Sequence, residues 1–472
     1  MAMDAQAYIA GLVERAKKAQ EIAEGHDQKR VDELCAALAW NACNEDFRRK
    51  AAQMLVEESN MGVFTDKFNK IANKAKGVYR DMKDEVSVGI IETNSEANTV
   101  TYIKPMGVID ALLPVTNGEA TPIVKSLWAL KSRNAVIMSP HPKGSKTCQF
   151  VVDYIRSILK KYGAPEDLVQ TIAPDMITRE TSDLLMKKVD FIVCTGGTPK
   201  VRGAYSSGTP AIGVGTGNAT TYVDSTADLD DVADKIMRSK VFDNSSSCSS
   251  ENSVVAHADI YDGLIAAFEK VGAVIVRDGT AEKASMQKAV WPDLPENHKL
   301  NREIAAASAA KIAELSGMTL PEGKKFFVVE ENEGIGPDYP LTGEKLSVIV
   351  TLVKAANFED ALDKMEAILE YQGKGHSCGI HTADDKKVDE MAQRMKVSRI
   401  LVNQPQALGN SGAWFNGLPC TMSLGCSTWG ENSTSKNVTW KDIVNYTVVS
   451  RLKPAVIPTD EELFPAEIRN AK

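Results

Sequence analysis

Apolar positions along this chain change their period several times, and each change marks an element. Tyr8, Ile9, Leu12, Val13 and Ala16 recur at three- and four-residue spacing, the stripe of a packed amphipathic helix. The helical pattern, rich in Ala, Glu and Lys, continues to about residue 85. Then "VGIIETNSEANTVTYIKP" (88–105) places two β-rich stretches around a polar turn, which predicts a hairpin. From Val108 short apolar runs alternate with helical stretches. Strands are predicted in "GVIDALLPV", "NAVIMSP" (134–140), "DFIVCT" (190–195) and "PAIGVG" (210–215). Helices are predicted over 121–132, over 146–161 and from "GGTPKVRGAY"; Gly163 and Pro165 are the stop signals of the second.

The alternation resumes after Cys248. "SVVAHA", "AVIV", "FFVVE" (326–330), "KLSVIVTLV" (345–353), "SCGIHT" (377–382) and "SRILVN" (398–403) read as strands, with helices over 259–271, 358–371 and 384–395. Buried strands joined through helices by short loops predict parallel sheets covered on both faces. The fold class is therefore α/β, with two units in series and Cys248 near their seam. The Gly-rich stretch 408–430 interleaves Trp414, Phe415 and Trp429, and is expected to be an ordered loop region.

Length and charge narrow the function. The 472 residues give a soft prior of about three domain-sized units. A net charge of −8 and a pI near 5.5 offer no broad cationic field for nucleic acid or an acidic membrane. Lysines and arginines scattered among acids predict an ordinary solvated surface. No run reaches the ~18 apolar residues that span a bilayer, and residues 1–24 lack the pattern of a signal peptide. The eight cysteines are too dilute for a disulfide scaffold, so a reducing cytoplasm is expected. None shares the C-x-x-C spacing of a zinc site, and no metal is expected.

Cys248 is the candidate for chemistry. Cys194 lies in an apolar strand and Cys35 and Cys43 on helices, where a cysteine is a small buried hydrophobe. In "FDNSSSCSSENSVVAH" the neighbours of Cys248 are hydroxylic or acidic, a setting that can supply dipoles to a thiolate. His257 falls within a predicted strand and reads as a sheet residue. His376, in the loop "GKGHSCGIH", is the better site candidate. "TGGTP" (195–199) ends a strand and opens a helix, where free N–H groups favour an anion. "SPHPKG" (139–144) also leaves a strand, and its Lys143 could meet a ribose or phosphate. "GVGTGN" (213–218) is Gly-rich but is not G-x-G-x-x-G, so the dinucleotide fingerprint fails.

Taken in order, several segments resemble the aldehyde dehydrogenase superfamily, and within it the CoA-acylating branch. They are "MGVF", "GVIDALLPVTN", "SLWALKSRNAVIMSPHPKG", "TGGTPKVRGAYSSGTPAIGVGTGN", "FDNSSSCSSENSVV", "GEKLSV", "GHSCGIHT" and "LGCSTWGENSTSKN". The resemblance implies a Rossmann-type cofactor domain over 1–240, an α/β catalytic domain over 241–420 and a C-terminal return over 421–472. The 88–105 hairpin and the segment 436–452 resemble the family's β oligomerisation flap, implying a homodimer or homotetramer. Cys248 matches the nucleophile, and Asn117 the residue that holds the oxyanion together with the Cys248 N–H. Glu344 matches the glutamate at the nicotinamide ribose. Ser139, Pro140, His141 and Pro142 match the adenosine side; Thr195, Gly196 and Gly197, with Gly215, match the pyrophosphate side. His376 matches a histidine of the acylating branch, near the active site or the CoA approach. NAD or NADP and CoA are the implied partners, and no acidic residue chooses between the two dinucleotides.

Two features shape the expected reaction. Hydrolytic relatives carry a glutamate base in an "ELGG" segment; here Gly213 of "GVGTGN" takes its place, leaving water poorly activated and CoA the better acceptor. Relatives also place a Gly-Ile-Ile or Gly-Val-Ile run before the cysteine, where this chain has Ser245, Ser246 and Ser247, with Ser249 behind. These hydroxyls are expected to line the substrate pocket and to suit an anionic aldehyde, sulfoacetaldehyde first and succinate semialdehyde second, ahead of acetaldehyde. Val348 stands where the family pattern prefers proline, close to Glu344. A hydrolytic dehydrogenase and a non-catalytic binding protein of the same fold remain open; the second would have lost Cys248 or Asn117, and both are present.

Overall fold

Four helices begin the chain, α1 (Ala5–Glu24), α2 (Gln28–Asn41), α3 (Glu45–Ser59) and α4 (Phe64–Met82), in a computed structural model that describes residues 4–471. The first three have side-chain caps from Asp4, Asp27 and Asn44, which satisfy otherwise orphaned N–H groups. The predicted stripe of α1 buries Ile9, Leu12, Val13 and Ala16. β1 (Gly89–Asn94) and β2 (Thr99–Pro105) form the expected antiparallel hairpin.

A classical alternation follows in its physical sense of strand and covering helix: β3 (Val108–Leu112), α5 (Thr121–Lys131), β4 (Ala135–Ser139), α6 (Ser145–Lys161), β5 (Val169–Thr171), α7 (Arg179–Met186), β6 (Phe191–Thr195), α8 (Thr198–Tyr205) and β7 (Ala211–Val214). The five strands are parallel in the order β5-β4-β3-β6-β7. The chain builds outward from β3 to β5 on one side and then from β6 to β7 on the other, so the order reverses between β3 and β6 and opens a crevice at the carboxyl ends of that pair.

β8 (Thr220–Val223), α9 (Leu229–Val241), β9 (Ser253–His257), β10 (Ala273–Val276), β11 (Phe326–Glu330), β12 (Ile349–Ala355), β13 (Cys378–His381) and β14 (Ile400–Val402) build the second unit. Its seven strands are parallel in the order β10-β11-β12-β9-β8-β13-β14. The change of sheet thus falls between Val214 and Thr220, earlier than the division expected at 240. The strand β8, "TTYV", is not among the predicted elements, and it is buried between β9 and β13. Helices Ala281–Val290 and Ala309–Leu315 also escaped prediction.

The chain then returns. Val438, Trp440 and Ile443 join the core of the first unit, and β15 (Val444–Ser450) pairs antiparallel with β2, from Val444 opposite Pro105 to Ser450 opposite Thr99. No described helix is long and apolar enough to cross a membrane. One expectation needs correction: the lysines are not all solvated, since Lys67, Lys131, Lys240 and Lys345 are fully buried. Their aliphatic stems pack with the core while each ammonium finds polar partners, as Lys345 does on the carbonyls of Leu341 and Gly343.

Candidate active site

Helix α9 ends at Val241, and the next turn is sharply bent. Asp243, Asn244 and Ser245 take φ of 49°, 50° and 60° in succession, the left-handed region that Asp and Asn tolerate better than most side chains. The turn is held from outside. The Asp243 carboxylate accepts from the Val63 N–H (2.8 Å), Lys67 Nζ (3.0 Å), Lys70 Nζ (2.6 Å) and Ser246 Oγ (2.7 Å). Cys248 follows and faces a cavity of about 480 Å³.

The serines are spent largely on one another. Ser245 Oγ donates to Ser250 Oγ, Ser246 Oγ to Asp243, and the Ser247 and Ser249 hydroxyls share a 2.8 Å hydrogen bond. Ser246 and Ser247 line the cavity, but Ser245 and Ser249 are buried and do not. The expectation of a pocket rich in free hydroxyl donors is corrected accordingly: within the left-handed turn the hydroxyls reach each other before they reach the cavity.

His376 comes from the loop before β13 and is fully buried behind the thiol. Its Nε2 lies 3.2 Å from Cys248 Sγ, and its Nδ1 lies 2.8 Å from Ser377 Oγ. When Nδ1–H donates to Ser377, Nε2 is free to accept the thiol proton. Burial, then the nearby Glu344 and Cys426, push the Cys248 thiol up to about 12; burial, then Arg399, push His376 down to about 3. Both groups therefore rest neutral at pH 7. Arg399 donates to the carbonyls of His376 and Gly425, both at 2.9 Å, and so ties this loop to the C-terminal return. Gly217 permits the approach: a Cβ there would strike the Cys248 carbonyl oxygen and stand 3.0 Å from the His376 ring.

Asn117 also lines the cavity. Its Oδ1 accepts from Lys70 Nζ at 2.7 Å, which leaves the amide Nδ2 as its donor. Lys70 in turn pairs with Glu119 (3.2 Å) as well as Asp243. Sequence reasoning missed this set of buried charges. A signal was present, because Lys67, Lys70 and Lys74 share a helical face beside the buried Ile71, Ala75 and Val78.

Thr195, Gly196 and Gly197, where β6 passes into α8, line the cavity with Gly215 and Glu344. Backbone of two glycines at the start of a helix beside the crevice, with one carboxylate across from it, suits a dinucleotide: donors for phosphate, an acceptor for ribose hydroxyls. Burial raises Glu344 to about 8. Ser139 to Pro142 sit at the carboxyl end of β4 and outside the cavity lining. Ser139 Oγ donates to Asp110 Oδ1, and His141 Nδ1 accepts from the Lys143 N–H. The first turn of α6 is already occupied by Glu58, which accepts from the N–H groups of Lys146 and Thr147 at 2.9 Å each.

Gly213 needs a second correction. A Cβ there would meet Val201 Cγ1 at 2.5 Å and the Tyr205 ring at 3.0 Å, against α8 and not in the cavity. The residues of that segment lining the cavity are Val214, Gly215 and Thr216, none of them a base.

A sheet crevice that receives a thiol, an amide donor and a buried histidine is matched by known proteins. The aldehyde dehydrogenase family profile covers residues 6–423. The chain belongs to the aldehyde dehydrogenase family. An acylating sulfoacetaldehyde dehydrogenase from Bilophila wadsworthia is 41% identical, over 97% of this chain and 97% of its own. An acetylating succinate-semialdehyde dehydrogenase from Clostridium kluyveri is 38% identical, over 98% of this chain and all of its own length. The crystal structure of an acetylating aldehyde dehydrogenase from Geobacillus thermoglucosidasius superposes with a TM-score of 0.90 at 32% identity, covering 96% of this chain and 98% of its own. As an aldehyde dehydrogenase, the chain has Cys248 and Asn117 facing one cavity, with His376 set behind the thiol.

Proposed function

We propose that this aldehyde dehydrogenase is of the CoA-acylating type and oxidises a small anionic aldehyde, sulfoacetaldehyde first and succinate semialdehyde second, to its acyl-CoA. The observation that carries the reading is the Cys248–His376 contact in a cavity whose wall at Val214 to Thr216 offers no base for water. The names of the 41% and 38% identical relatives support the acylating reaction and both substrates.

Cys248 Sγ attacks the carbonyl carbon as its proton passes to His376 Nε2, since burial keeps a free thiolate out of reach at pH 7. Asn117 Nδ2 and the Cys248 N–H hold the oxygen that becomes negative, and Lys70 fixes the amide in the donating orientation. NAD or NADP, held by Thr195 to Gly197, Gly215 and Glu344, would supply the hydride acceptor that leaves an acyl thioester on Cys248. The CoA sulfur, its thiol proton lost to solvent as the net proton of the reaction, then takes the acyl group, and the departing Cys248 sulfur recovers its own proton from His376. Glu344 is the carboxyl group among the residues lining the cavity; raised to about 8, it is mostly protonated at neutral pH, so only its minor ionised fraction could take a proton from water.

The test is formation of reduced cofactor from small aldehydes with NAD⁺ or NADP⁺, with and without CoA. Turnover that depends on CoA and yields a thioester supports the proposal. Undiminished turnover without CoA, abolished by Glu344→Gln, establishes the hydrolytic reaction in its place. The β1–β2–β15 sheet leaves Ile90, Tyr446 and Val448 exposed, and we read it as a self-association face of a homodimer or homotetramer, which sedimentation would resolve.

A further inference from the structure

Helix α4 carries Lys67, Lys70 and Lys74 along one face, and the three are not equivalent. Lys67 and Lys70 pair with Asp243, and Lys70 also with Glu119. Two cations are thus balanced by two carboxylates. Lys74, one turn further on, lines the cavity, and its Nζ donates to the carbonyl oxygen (2.9 Å) and Oγ (2.7 Å) of Ser411, with Cys420 Sγ at 3.9 Å. All these partners are neutral. Among the described residues no carboxylate oxygen lies within 4.0 Å of it. Asp81, further along the helix, is engaged by Arg80 Nε and the Cys420 N–H, each at 2.6 Å.

Lys74 is half-buried; an ammonium partly withdrawn from water without a counter-charge is unfavourable, and an anion entering the cavity relieves that cost. Burial, the largest influence, holds the Lys74 pKa below the usual lysine range. The serines bring no charge to this part: Ser245 and Ser249 miss the cavity, the Ser246 hydroxyl is given to Asp243, and the Ser247 hydroxyl, which does line the cavity, is shared with Ser249. Arg80, which lines the cavity with Lys70 and Lys74, is paired with Asp81.

We propose that Lys74, with Ser411 Oγ beside it, holds the sulfonate or carboxylate tail of the aldehyde and thereby sets the preference for an anionic substrate. This deepens, and rests on, the reading of the site as one that oxidises an anionic aldehyde.

The experiment compares kcat/KM for sulfoacetaldehyde, succinate semialdehyde and propanal at saturating CoA in the wild type and in Lys74→Met. Removing one member of a desolvated charge pair should lower the anionic-to-propanal ratio at least ~30-fold, while Lys74→Arg keeps most of it. The substrate with the larger loss identifies the tail that Lys74 meets. A wild type that does not prefer either anionic aldehyde overturns the substrate reading and this proposal with it. A wild-type preference that survives Lys74→Met overturns the role of Lys74 alone, as does an equal loss on all three substrates. Should Lys74→Met fail to fold, Lys74→Gln, which keeps a donor to Ser411, is assayed in the same way. Alkylation of wild-type Cys248 is a further readout: iodoacetate should gain on iodoacetamide relative to their rates with a free thiol, and no gain overturns the proposal.

Discussion

Two buried clusters flank the turn that carries Cys248, and they treat charge in opposite ways. Lys67, Lys70, Asp243 and Glu119 are at most 6% exposed, and in the Lys70–Asp243 ion pair each partner holds the other in its charged form. Burial alone would raise Asp243, but Lys70 and then Lys67 hold it below the usual carboxylate range. His376 is as deeply placed and Cys248 half-buried at the cavity wall, and the two are just as close, yet they rest as a neutral imidazole and a neutral thiol. Charges that never change can be paired permanently and used as scaffolding. Groups that must exchange a proton are kept uncharged, so that neither is locked into one state.

The scaffold should be the costlier to break. Asp243→Ala leaves two ammonium groups buried without their shared partner, and the expected loss is about 3–5 kcal/mol of stability. Chemical denaturation would show a lowered midpoint with an unchanged slope. Asn117→Ala removes what the scaffold orients rather than the scaffold itself. We expect kcat/KM to fall about 10²–10³-fold, or about 2.7–4 kcal/mol, through lost oxyanion stabilisation. The denaturation midpoint should stay near that of the wild type. A midpoint that fell as far as in Asp243→Ala would make Asn117 part of the scaffold and erase the distinction.

pH separates the clusters further. His376 titrates at about 3 in the fold and near 6.5 in the unfolded chain, which therefore binds more protons between those values. Its contribution to stability is complete above about 6.5 and is lost progressively as pH falls toward 3. Glutamine cannot titrate, so the stability gap between His376→Gln and wild type should move by about 2 kcal/mol in favour of the variant from pH 6.5 to 5. Asp243 has a lowered pKa, so its contribution is present above the ordinary 3.8 and lost below it. The cost of Asp243→Ala should accordingly stay constant over the same interval. Parallel drift of both variants would show that the two clusters titrate as one.

Legibility in the sequence followed the same division. The strands "DFIVCT" and "FFVVE" are continuous apolar runs and were readable as buried parallel strands; "TTYV" was not, because it is four residues long and follows directly on the Gly-rich "GVGTGN", although Thr, Tyr and Val all favour strands. Cys248 stood out through its polar surroundings, and Asn117 and Glu344 through their place in family motifs. His376 could be flagged as a loop residue, but its 3.2 Å approach to Cys248 depends on contacts 128 positions apart in the chain. The lysines of α4 looked solvated because a charge on a helix carries no mark of what covers it; the covering turn lies more than a hundred and seventy positions away, as with Lys70 and Asp243 at a separation of 173.

The smallest expected effect concerns the serine that began as a substrate contact. Ser245 sits at φ 60°, and a left-handed conformation costs a side-chain-bearing residue about 1 kcal/mol. Its hydroxyl recovers a comparable amount through the 2.8 Å hydrogen bond to Ser250. Ser245→Gly trades one for the other, so stability should move by less than about 1 kcal/mol in either direction. Because Ser245 does not line the cavity, the ratio of kcat/KM for sulfoacetaldehyde to that for propanal should be unchanged. Ser246→Ala is the matched contrast, since its hydroxyl donates to Asp243 and its loss should register on the charged cluster as a lowered denaturation midpoint. A shift of substrate preference in Ser245→Gly without a change in stability would return the serine run to substrate recognition and remove the reason to look for it on α4.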